Sequence, residues 1–407
     1  MDQEGVVLAA AGAAAIIAAL ALLRVNGRPG WRATVTPLAS IIGSGFLVAA
    51  PLLVETFGGG AIVAMAVLLM VAYAFGHVVR FNIRHTEPLL AHPHPDRSLG
   101  LFEGLSDAAL SLAYFISVAY YLVLLGTFGL KGFGIENEVV GRWVTTGILL
   151  FIGALGVRGG LKAVERVESG AVALKLVIIA ALCAGLLAAL VFADQPPTHW
   201  PSVIAFSGDN LVVLLGLLIV TQGFETSRYL GTEFSPEVRI RTMRVAQLLA
   251  AAIYIVFFAL ITPFLGGSNS GTGVTALVDI AGTLAVGLAA AVTVGAAASQ
   301  FTAAVADSIA STGLLHEVTR GRLAPRLGYL VLIPISIALV WLTDVIELVS
   351  YASRSFAVYY ALQCGVALRA VYLDRTTVTA PGVRMAAYSA FGLLAMAVVI
   401  FGAPVAE

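Results

Sequence analysis

The sequence predicts an all-α integral membrane protein, and three of its properties indicate that class. Hydrophobic residues make up 59% of the 407 positions and charged residues only 11%, whereas a soluble domain has about 25% charged residues. Apolar runs of the length that crosses a bilayer, about 20 residues, recur along the chain. The Lys and Arg residues are concentrated in alternate loops between these runs. A chain of this composition could not cover a soluble surface with polar groups.

Twelve apolar runs are long enough to span the membrane. They lie at 5–23, 33–57, 60–79, 104–130, 141–157, 169–193, 205–227, 245–265, 274–313, 327–343, 345–368 and 385–403. The run at 274–313 is too long for one span, so we expect it to bend or to continue beyond the membrane. Only Thr343 and Asp344 separate the tenth run from the eleventh.

The loop charges predict how the spans are oriented. Nearly all of the 23 basic residues lie in one set of alternate loops, and the opposite loops contain only Lys131 and Arg142. Because basic loops stay in the cytoplasm, we expect a protein of the cytoplasmic membrane with both termini outside. The first run follows the acidic residues Asp2 and Glu4, whereas a secretory signal begins with basic residues, so we predict that this run is a true span.

Composition and motifs give little support to several other functions. The net charge of +0 suggests no nucleic-acid binding. Cys183 and Cys364 each lie inside an apolar run and are predicted to be small packing residues. The histidines between 77 and 94 match no tight ligand spacing, so a solvated loop is favoured over a metal site. No nucleotide loop, catalytic triad or metal motif is visible, which argues against an enzyme and against a bound cofactor.

Two glycine-containing stretches interrupt predicted spans, at Gly43–Gly45 and Thr221–Gly223. Glycine costs a helix roughly 1 kcal/mol relative to alanine, and unpaired backbone groups persist in a membrane only where they line a cavity or a site. The alternative is a small-residue contact between helices. The stretches open two groups of five spans, 33–193 and 205–371, and an odd number of spans requires the groups to be inverted. Paired breaks of this kind predict a binding site at the midplane.

The residues around both breaks resemble one known family. The motif Ile42–Phe46, with Pro51 after it, is similar to the first helix of the amino acid–polyamine–organocation (APC) superfamily transporters. Gln222–Glu225, followed by the acidic-X-X-Pro turn Glu233–Pro236, resembles that superfamily's sixth helix and the loop after it. Gly321–Pro325 resembles the loop after its eighth helix. The resemblance implies a LeuT-like fold, which is a five-plus-five inverted repeat working by alternating access.

Two departures from the family pattern affect the predicted organisation. One span precedes the ten-helix core and only one follows it, whereas the usual member has none before and two after. We therefore predict an extra N-terminal helix and basic loop at 1–32, a transport core at 33–371 and a C-terminal helix at 372–407. The departure leaves any dimer contact of the missing last helix in doubt, and the oligomeric state stays open.

The two breaks and the resemblance together predict the substrate site. Backbone N–H groups at the start of the outer half of the first broken helix, with the Ser44 hydroxyl, suit a carboxylate. Relatives that carry large or cationic amino acids often have an aromatic residue where this chain has Ile219, which favours a smaller or neutral substrate. One of the tyrosines of the third core helix is also expected to line the site. The predicted substrate-binding residues are Ile42, Gly43, Ser44, Gly45, Tyr120, Ile219, Thr221, Gln222 and Gly223.

Charged residues inside the spans are candidates for ion coupling. The resemblance places Lys175 where sodium-independent relatives replace a sodium ion by a lysine, and Ser299 and Gln300 are expected to face it. The alternative is a lysine that extends to the membrane surface. Glu225 is expected either to couple protons or to brace the second break by hydrogen bonds. The predicted ion-coupling residues are Lys175, Glu225 and Ser299. Arg354 is expected to pair with Glu347, which lies two turns earlier.

These observations predict a secondary active transporter for an amino acid or a related small amine, either proton-coupled or sodium-independent. Its expected partners are that small molecule, protons and the lipid bilayer. Two alternatives stay open, namely a transporter of an inorganic cation such as potassium and a sensor that binds without transporting. The first break lacks the Asp, Asn and Met ligands that a divalent metal would need, which counts against such a metal but not against potassium. The sequence does not identify the substrate.

Overall fold

A computed structural model describes residues 3–25, 28–43, 45–94, 96–135, 137–159, 162–192, 200–231, 233–265 and 276–403, without the side chains at 29, 47, 162–171 and 219. The regular structure of this part of the chain is helical, apart from an isolated β-bridge between Gly58 and Val203. The helices are α1 Gln3–Val25, α2 Pro29–Ile41, α3 Gly45–Phe57, α4 Ala61–Phe81, α5 Arg97–Gly132, α6 Glu138–Val157, α7 Lys162–Phe192, α8 Gly208–Gly216, α9 Pro236–Leu265, α10 Ala276–Leu284, α11 Val286–Val318, α12 Pro325–Leu342, α13 Val345–Leu373 and α14 Pro381–Phe401.

Four shorter segments complete the helical structure of the described residues. The helix α4 continues through a π-helical turn, Asn82–Thr86, and one further turn, Glu87–Leu90. The chain after α8 forms two 3₁₀ segments, Leu218–Thr221 and Phe224–Leu230. π-Helical turns and short 3₁₀ segments within helices frequently mark functional positions.

The predicted class is confirmed, because the protein is all-helical and multi-pass. Ten helices in the described residues are long and apolar enough to cross a membrane. The predicted spans at 33–57 and 205–227 coincide with the two interrupted helices, α2–α3 and α8 with its 3₁₀ segments. The long run at 274–313 is divided at Ala285, whose backbone is extended (φ −167°, ψ 136°), into α10 and α11.

The link between α12 and α13 contradicts one expectation about charge pairing. Asp344 caps α13 by accepting from the N–H of Glu347, and the Glu347 carboxylate accepts from the N–H of Asp344. This reciprocal capping box occupies the Glu347 carboxylate locally. The expected Glu347–Arg354 pair is therefore wrong: Arg354 Nε donates to the Gly402 carbonyl, 2.9 Å away. That carbonyl lies just past the end of α14, where a helix has no donors of its own.

The helix α5 lies at the centre of the bundle, where α11 and α13 pack along it. Further contacts join α7 to α11, α6 to α12, and α9 to both α2 and α4. In the predicted inverted repeat α5 corresponds to α11, and α7 corresponds to α13. The contact between α5 and α13 therefore corresponds to the contact between α11 and α7, and the repeat requires both. Both are present, and the repeat itself stays a prediction.

The two helices outside the predicted core each pack on one core helix. The helix α1 lies along α7, and α14 lies along α13. A Cβ atom at Gly185 would lie 3.4 Å from Val7 Cγ1 and 3.1 Å from Leu288 Cδ2. The absence of a side chain at Gly185 therefore lets α1 approach α7 closely, as small residues do in membrane helix contacts.

An ion pair outside the membrane spans joins the start of α5 to the end of α13. Arg369 Nη2 lies 2.7 Å from Asp96 Oδ2. Hydrogen bonds from Arg369 and Ser98, and from the N–H of Leu99, hold the pKa of the Asp96 carboxyl well below its usual range. Because the pKa is lowered by folding, the stabilisation is present above the carboxyl's unfolded pKa and is lost only in strong acid. The contact therefore persists at neutral pH.

Candidate functional site

The first break lies between α2 and α3. The helix α2 ends at Ile41, and Ile42 leaves the helical conformation (φ −86°, ψ 46°) while its N–H still bonds to the Leu38 carbonyl at 3.0 Å. A new helix begins at Gly45. Ser44 lies outside the described residues, so its predicted contact with a carboxylate stays a prediction.

The second break is centred on Gly223, between the two 3₁₀ segments. Gly223 has φ +114°, a conformation that L side chains rarely adopt. Thr221 is buried, and its hydroxyl donates to the Leu218 carbonyl at 3.2 Å, so this donor is used within the break. The side chain of Ile219 lies outside the described residues.

The two breaks are packed directly against each other through their glycines. A Cβ atom at Gly45 would lie 2.6 Å from Val220 Cα, and one at Gly223 would lie 2.5 Å from Ser40 Cβ. Real Cβ atoms essentially never come so close. Both interpretations of these glycines therefore apply, since they interrupt the helices and also allow the two backbones to touch.

Tyr254 of α9 joins the two breaks and was not anticipated from the sequence. Its hydroxyl lies 3.1 Å from the Ile41 carbonyl oxygen and 2.9 Å from that of Val220, and its side chain is fully buried. One hydroxyl hydrogen is thus positioned between a carbonyl of each break. Nothing in the sequence distinguishes this tyrosine from the others in apolar helices, because its partners are remote along the chain.

Replacing Tyr254 with phenylalanine is expected to slow transport by roughly tenfold, because a buried hydrogen bond contributes on the order of 1 kcal/mol and two carbonyls lose their donor. The initial rate of substrate uptake in proteoliposomes measures this effect. Tyr329→Phe is the matched control, since Tyr329 is a buried tyrosine in the α6–α12 contact, against Gly156. Equal rates for the two variants would contradict the bridging role.

Lys175 of α7 reaches the end of α2. Its Nζ donates to the Ala39 carbonyl at 2.9 Å and to the Ile42 carbonyl at 2.8 Å, and the residue is 6% exposed. These carbonyls belong to the C-terminal end of a helix, which carries partial negative charge and favours a cation. The side chain is therefore directed to the first break and does not extend to the membrane surface. Its coupling role stays a prediction.

Ser299 of α11 shares a small cavity with Lys175. The cavity has a volume of about 30 Å³, and Ile42, Gly43 and Phe46 also line it. A water molecule needs roughly 10–15 Å³ measured in this way, whereas ligand pockets usually occupy about 300–1,000 Å³. The cavity lies between the first break, α7 and α11, and it is smaller than an amino acid.

Gln222 connects the second break to α5. Its Nε2 donates to Tyr121 Oη at 3.0 Å, and a Cβ atom at Gly43 would lie 3.8 Å from the same oxygen. Tyr121 thus lies beside both breaks. Tyr120, the tyrosine predicted to bind substrate, is buried with its ring 5.5 Å from that of Tyr121. Adjacent helical residues point in different directions, and the sequence could not decide between these two.

Glu225 is fully buried immediately after the second break. Its Oε2 accepts from the Gly223 N–H at 2.9 Å and from the Tyr360 hydroxyl at 3.1 Å. The other oxygen, Oε1, has no hydrogen-bond partner among the described residues. The carboxylate therefore braces the left-handed turn at Gly223 and has a free oxygen, which leaves the predicted proton-coupling role open.

Interrupted helices that meet in the middle of a multi-pass helical bundle are typical of one class of proteins. This class is the membrane transporters whose substrate site is formed by broken helices. Comparison with known proteins specifies the family. Residues 23–402 match the family described as APC superfamily transporter. The chain is also 42% identical over 341 residues to an uncharacterized protein of Aquifex aeolicus (strain VF5), and the alignment covers 83% of each chain. The chain belongs to the APC superfamily of transporters. A protein of this family lies in a lipid bilayer and binds a small-molecule substrate.

Proposed function

We propose that this protein is a secondary active transporter that moves an amino acid or a related small amine by alternating access, without sodium and with protons as the coupling ion. The observation that carries this proposal is the position of the Lys175 ammonium on the Ala39 and Ile42 carbonyls. The other contacts of the two breaks support it.

Unwound backbone carbonyls are the groups that hold a coupling cation in transporters with broken helices. In this protein a lysine donates to two such carbonyls at 2.8–2.9 Å. A sodium or potassium ion could not occupy the same oxygens while a charged ammonium lies there, because like charges repel strongly at short distance in a medium of low dielectric constant. Tyr254 takes two further carbonyls, one from each break. These contacts favour sodium independence.

The ends of the broken helices favour a substrate with a carboxylate. The N-terminus of α3 begins at the first break, and helix N-termini bind anions through unpaired N–H groups and the helix dipole. The Gln222 side-chain oxygen is buried and has no partner among the described residues, so it is available to an ammonium donor. An amino acid has both groups. Because the cavity beside the first break is too small for an amino acid, the space between the first break, α7 and α11 must widen when substrate enters there.

We infer that the protein lies in the cytoplasmic membrane with both termini outside, because basic loops are retained in the cytoplasm. The opposite loops hold Lys131 and Arg142, and each of these side chains forms an ion pair. Lys131 pairs with Asp279 at 2.6 Å, and Arg142 pairs with Glu138 at 2.8 Å.

Substrate identity and coupling are tested in sequence. Purified protein is first screened by thermal shift against amino acids, amines and alkali cations, because a ligand that binds the folded state raises its apparent stability. Uptake of the best ligand into proteoliposomes is then measured with sodium and the pH gradient varied separately. We expect uptake that responds to the pH gradient and is unchanged when choline replaces sodium. Strict sodium dependence that ignores pH would refute the proposal, stabilisation by potassium alone would favour an inorganic-cation transporter, and binding without counterflow exchange would indicate a sensor.

Replacing Glu225 with glutamine is expected to abolish the response of uptake to a pH gradient while preserving exchange of substrate across the membrane. The amide oxygen can still accept from the Gly223 N–H and the Tyr360 hydroxyl, but an amide cannot bind and release a proton in this pH range. Gradient-driven accumulation and counterflow are measured on the same vesicles. Glu233→Gln is the control, because Glu233 is exposed in the loop before α9. If Glu225→Gln accumulates substrate as the parent does, the carboxylate only braces the break.

A further inference from the structure

A buried polar cluster lies beyond the second break, on the face of the bundle where α4 ends and α5 begins. We name it the inner latch; it consists of Asn82, Glu103, Ser106, Arg228 and Gln363. These residues come from the π-helical turn after α4, from α5, from the second 3₁₀ segment and from α13. The predicted substrate and coupling sites use none of them.

An ion pair and one glutamine connect the members of the inner latch. Arg228 Nη2 lies 2.6 Å from Glu103 Oε1, and Arg228 Nη1 also donates to the side-chain oxygen of Gln363. That oxygen accepts from Asn82 Nδ2 at 2.8 Å, while Gln363 Nε2 donates to Ser106 Oγ at 2.7 Å. Asn82 Nδ2 also lies 2.9 Å from the Gln363 carbonyl oxygen. Both ends of the Gln363 amide are thus used, and the cluster joins three helices to the 3₁₀ segment.

Because most of the inner latch is buried, breaking one of its contacts leaves polar groups without partners. Arg228 is 6% exposed, Asn82, Ser106 and Gln363 are 1% exposed or less, and the Glu103 side chain is 17% exposed. A buried charge that loses its partner is left uncompensated, which is strongly unfavourable, so Arg228 cannot leave Glu103 without reaching water or another acceptor. A partly satisfied buried polar network is likewise costly. The closed arrangement is therefore expected to persist unless Arg228 gains water or another acceptor as it leaves Glu103.

The position of Arg228 gives the inner latch its role. Arg228 lies in the same 3₁₀ segment as Glu225, so the segment that leaves the second break ends in the inner latch. The Arg228 carbonyl accepts from Arg239 Nη1 at 2.7 Å, and Arg239 pairs with Glu87 at 2.6 Å. The Arg228 carbonyl thus connects the segment to α9, and through Arg239 to the turn after α4 that contains Glu87. The Arg228 guanidinium connects it to α5 and α13.

We propose that the Arg228–Glu103 ion pair, held in register by Gln363, closes the route from the second break to the face that carries the basic loops, and that this route opens only when the pair is broken. The inner latch rests on the proposed function only in requiring that such a route opens during transport. It is independent of the identity of the substrate and of the coupling ion.

The test measures how fast a thiol behind the inner latch is alkylated. Ser227 is fully buried next to Arg228, and Ser227→Cys is made with Cys183→Ala and Cys364→Ala. Membrane vesicles of both orientations are treated with a membrane-impermeant maleimide, and labelling is followed by mass spectrometry. We expect slow labelling in this parent, and Glu103→Gln is expected to accelerate labelling from the basic-loop face by roughly tenfold or more, because removing one partner of a buried ion pair strongly disfavours the closed arrangement.

Three further variants keep the test decisive. Lys131→Gln removes the cation of the Lys131–Asp279 ion pair, 2.6 Å at the far end of α5, and is expected to label as slowly as the parent. The charge exchange Glu103→Arg with Arg228→Glu is expected to restore slow labelling. If Glu103→Gln does not fold, Arg228→Lys keeps the charge but loses the planar fork and should label faster than the parent. The proposal is overturned if Glu103→Gln and Arg228→Lys both label at the parental rate. Fast labelling of the charge exchange also overturns it. The assay needs no substrate, so its outcome is separate from that of the uptake experiments.

Discussion

Replacing Lys175 with methionine is expected to reduce the initial rate of uptake by roughly a hundredfold, equivalent to about 2.7 kcal/mol. Methionine fills a similar space but cannot donate to the Ala39 and Ile42 carbonyls, which the lysine contacts at 2.9 and 2.8 Å. Leaving a buried acceptor without its donor costs about 1–3 kcal/mol, and here two acceptors are affected. The positive charge that we propose to replace a coupling cation is lost in the same substitution. Uptake is compared in proteoliposomes that contain equal amounts of folded protein.

The control for this variant is Lys131→Met. Lys131 pairs with Asp279 at 2.6 Å, and its side chain is 22% exposed at the end of α5. Partly exposed ion pairs contribute roughly 0–1 kcal/mol, so we expect uptake within about fivefold of the parent. Lys175→Arg retains the charge and is expected to be intermediate. The prediction fails if Lys175→Met transports as fast as the Lys131→Met control.

Replacing Gly223 with alanine is expected to lower the stability of the folded protein by about 2–6 kcal/mol, combining a strained backbone at about 1–3 kcal/mol with overpacking at about 1–3 kcal/mol. The φ of +114° is unfavourable for any L side chain, and the added Cβ would lie 2.5 Å from Ser40 Cβ and 2.6 Å from the Ser40 carbonyl carbon. Because the obstacle includes main chain, the first break must shift. Thermal unfolding in detergent and uptake by the surviving folded fraction measure the two effects.

Gly208→Ala is the matched control for Gly223→Ala. Gly208 begins the same interrupted helix, and a Cβ atom there would meet nothing within 4 Å. Alanine favours a helix over glycine by roughly 1 kcal/mol, so this variant is expected to be as stable as the parent or slightly more stable. If both alanine variants unfold at the same temperature, close packing of the two breaks does not require a glycine at 223.

The class, the crossings and the two breaks could be predicted from the sequence because a membrane imposes rules that are local in the chain. A span needs an apolar run. Single glycines such as Gly153 and Gly185 lie inside unbroken helices, so the breaks are predicted from the Gly43–Gly45 and Thr221–Gly223 motifs in matching places of the two groups of spans. The position of Lys175 could also be anticipated, from its place in the family pattern. What it contacts could not, because the Ala39 and Ile42 carbonyls are backbone groups on a distant segment.

Other parts of the site depend on contacts that no local pattern contains. Tyr254 lies 213 residues from Ile41 in sequence, and Arg228 lies 135 residues from Gln363. Such pairs form only when the bundle has assembled. The expected Glu347–Arg354 pair shows the opposite error, since helical spacing alone suggested it. Spacing places two residues on one face but does not show that a capping carboxylate is already engaged by the backbone at Asp344.

The helix α1 affects how freely α2 can move relative to α7. The helix α2 follows α1 in the chain, and α1 lies along α7. The carbonyls at the other end of α2 accept two hydrogen bonds from Lys175, which also belongs to α7. Both ends of this half-helix are thus linked to α7, directly through Lys175 and indirectly through α1, while its side packs on α9. A displacement of α2 from α7 has to release the lysine and strain the connection to α1 together. We therefore expect any movement of α2 away from α7 during a transport cycle to be restrained at both ends of the half-helix.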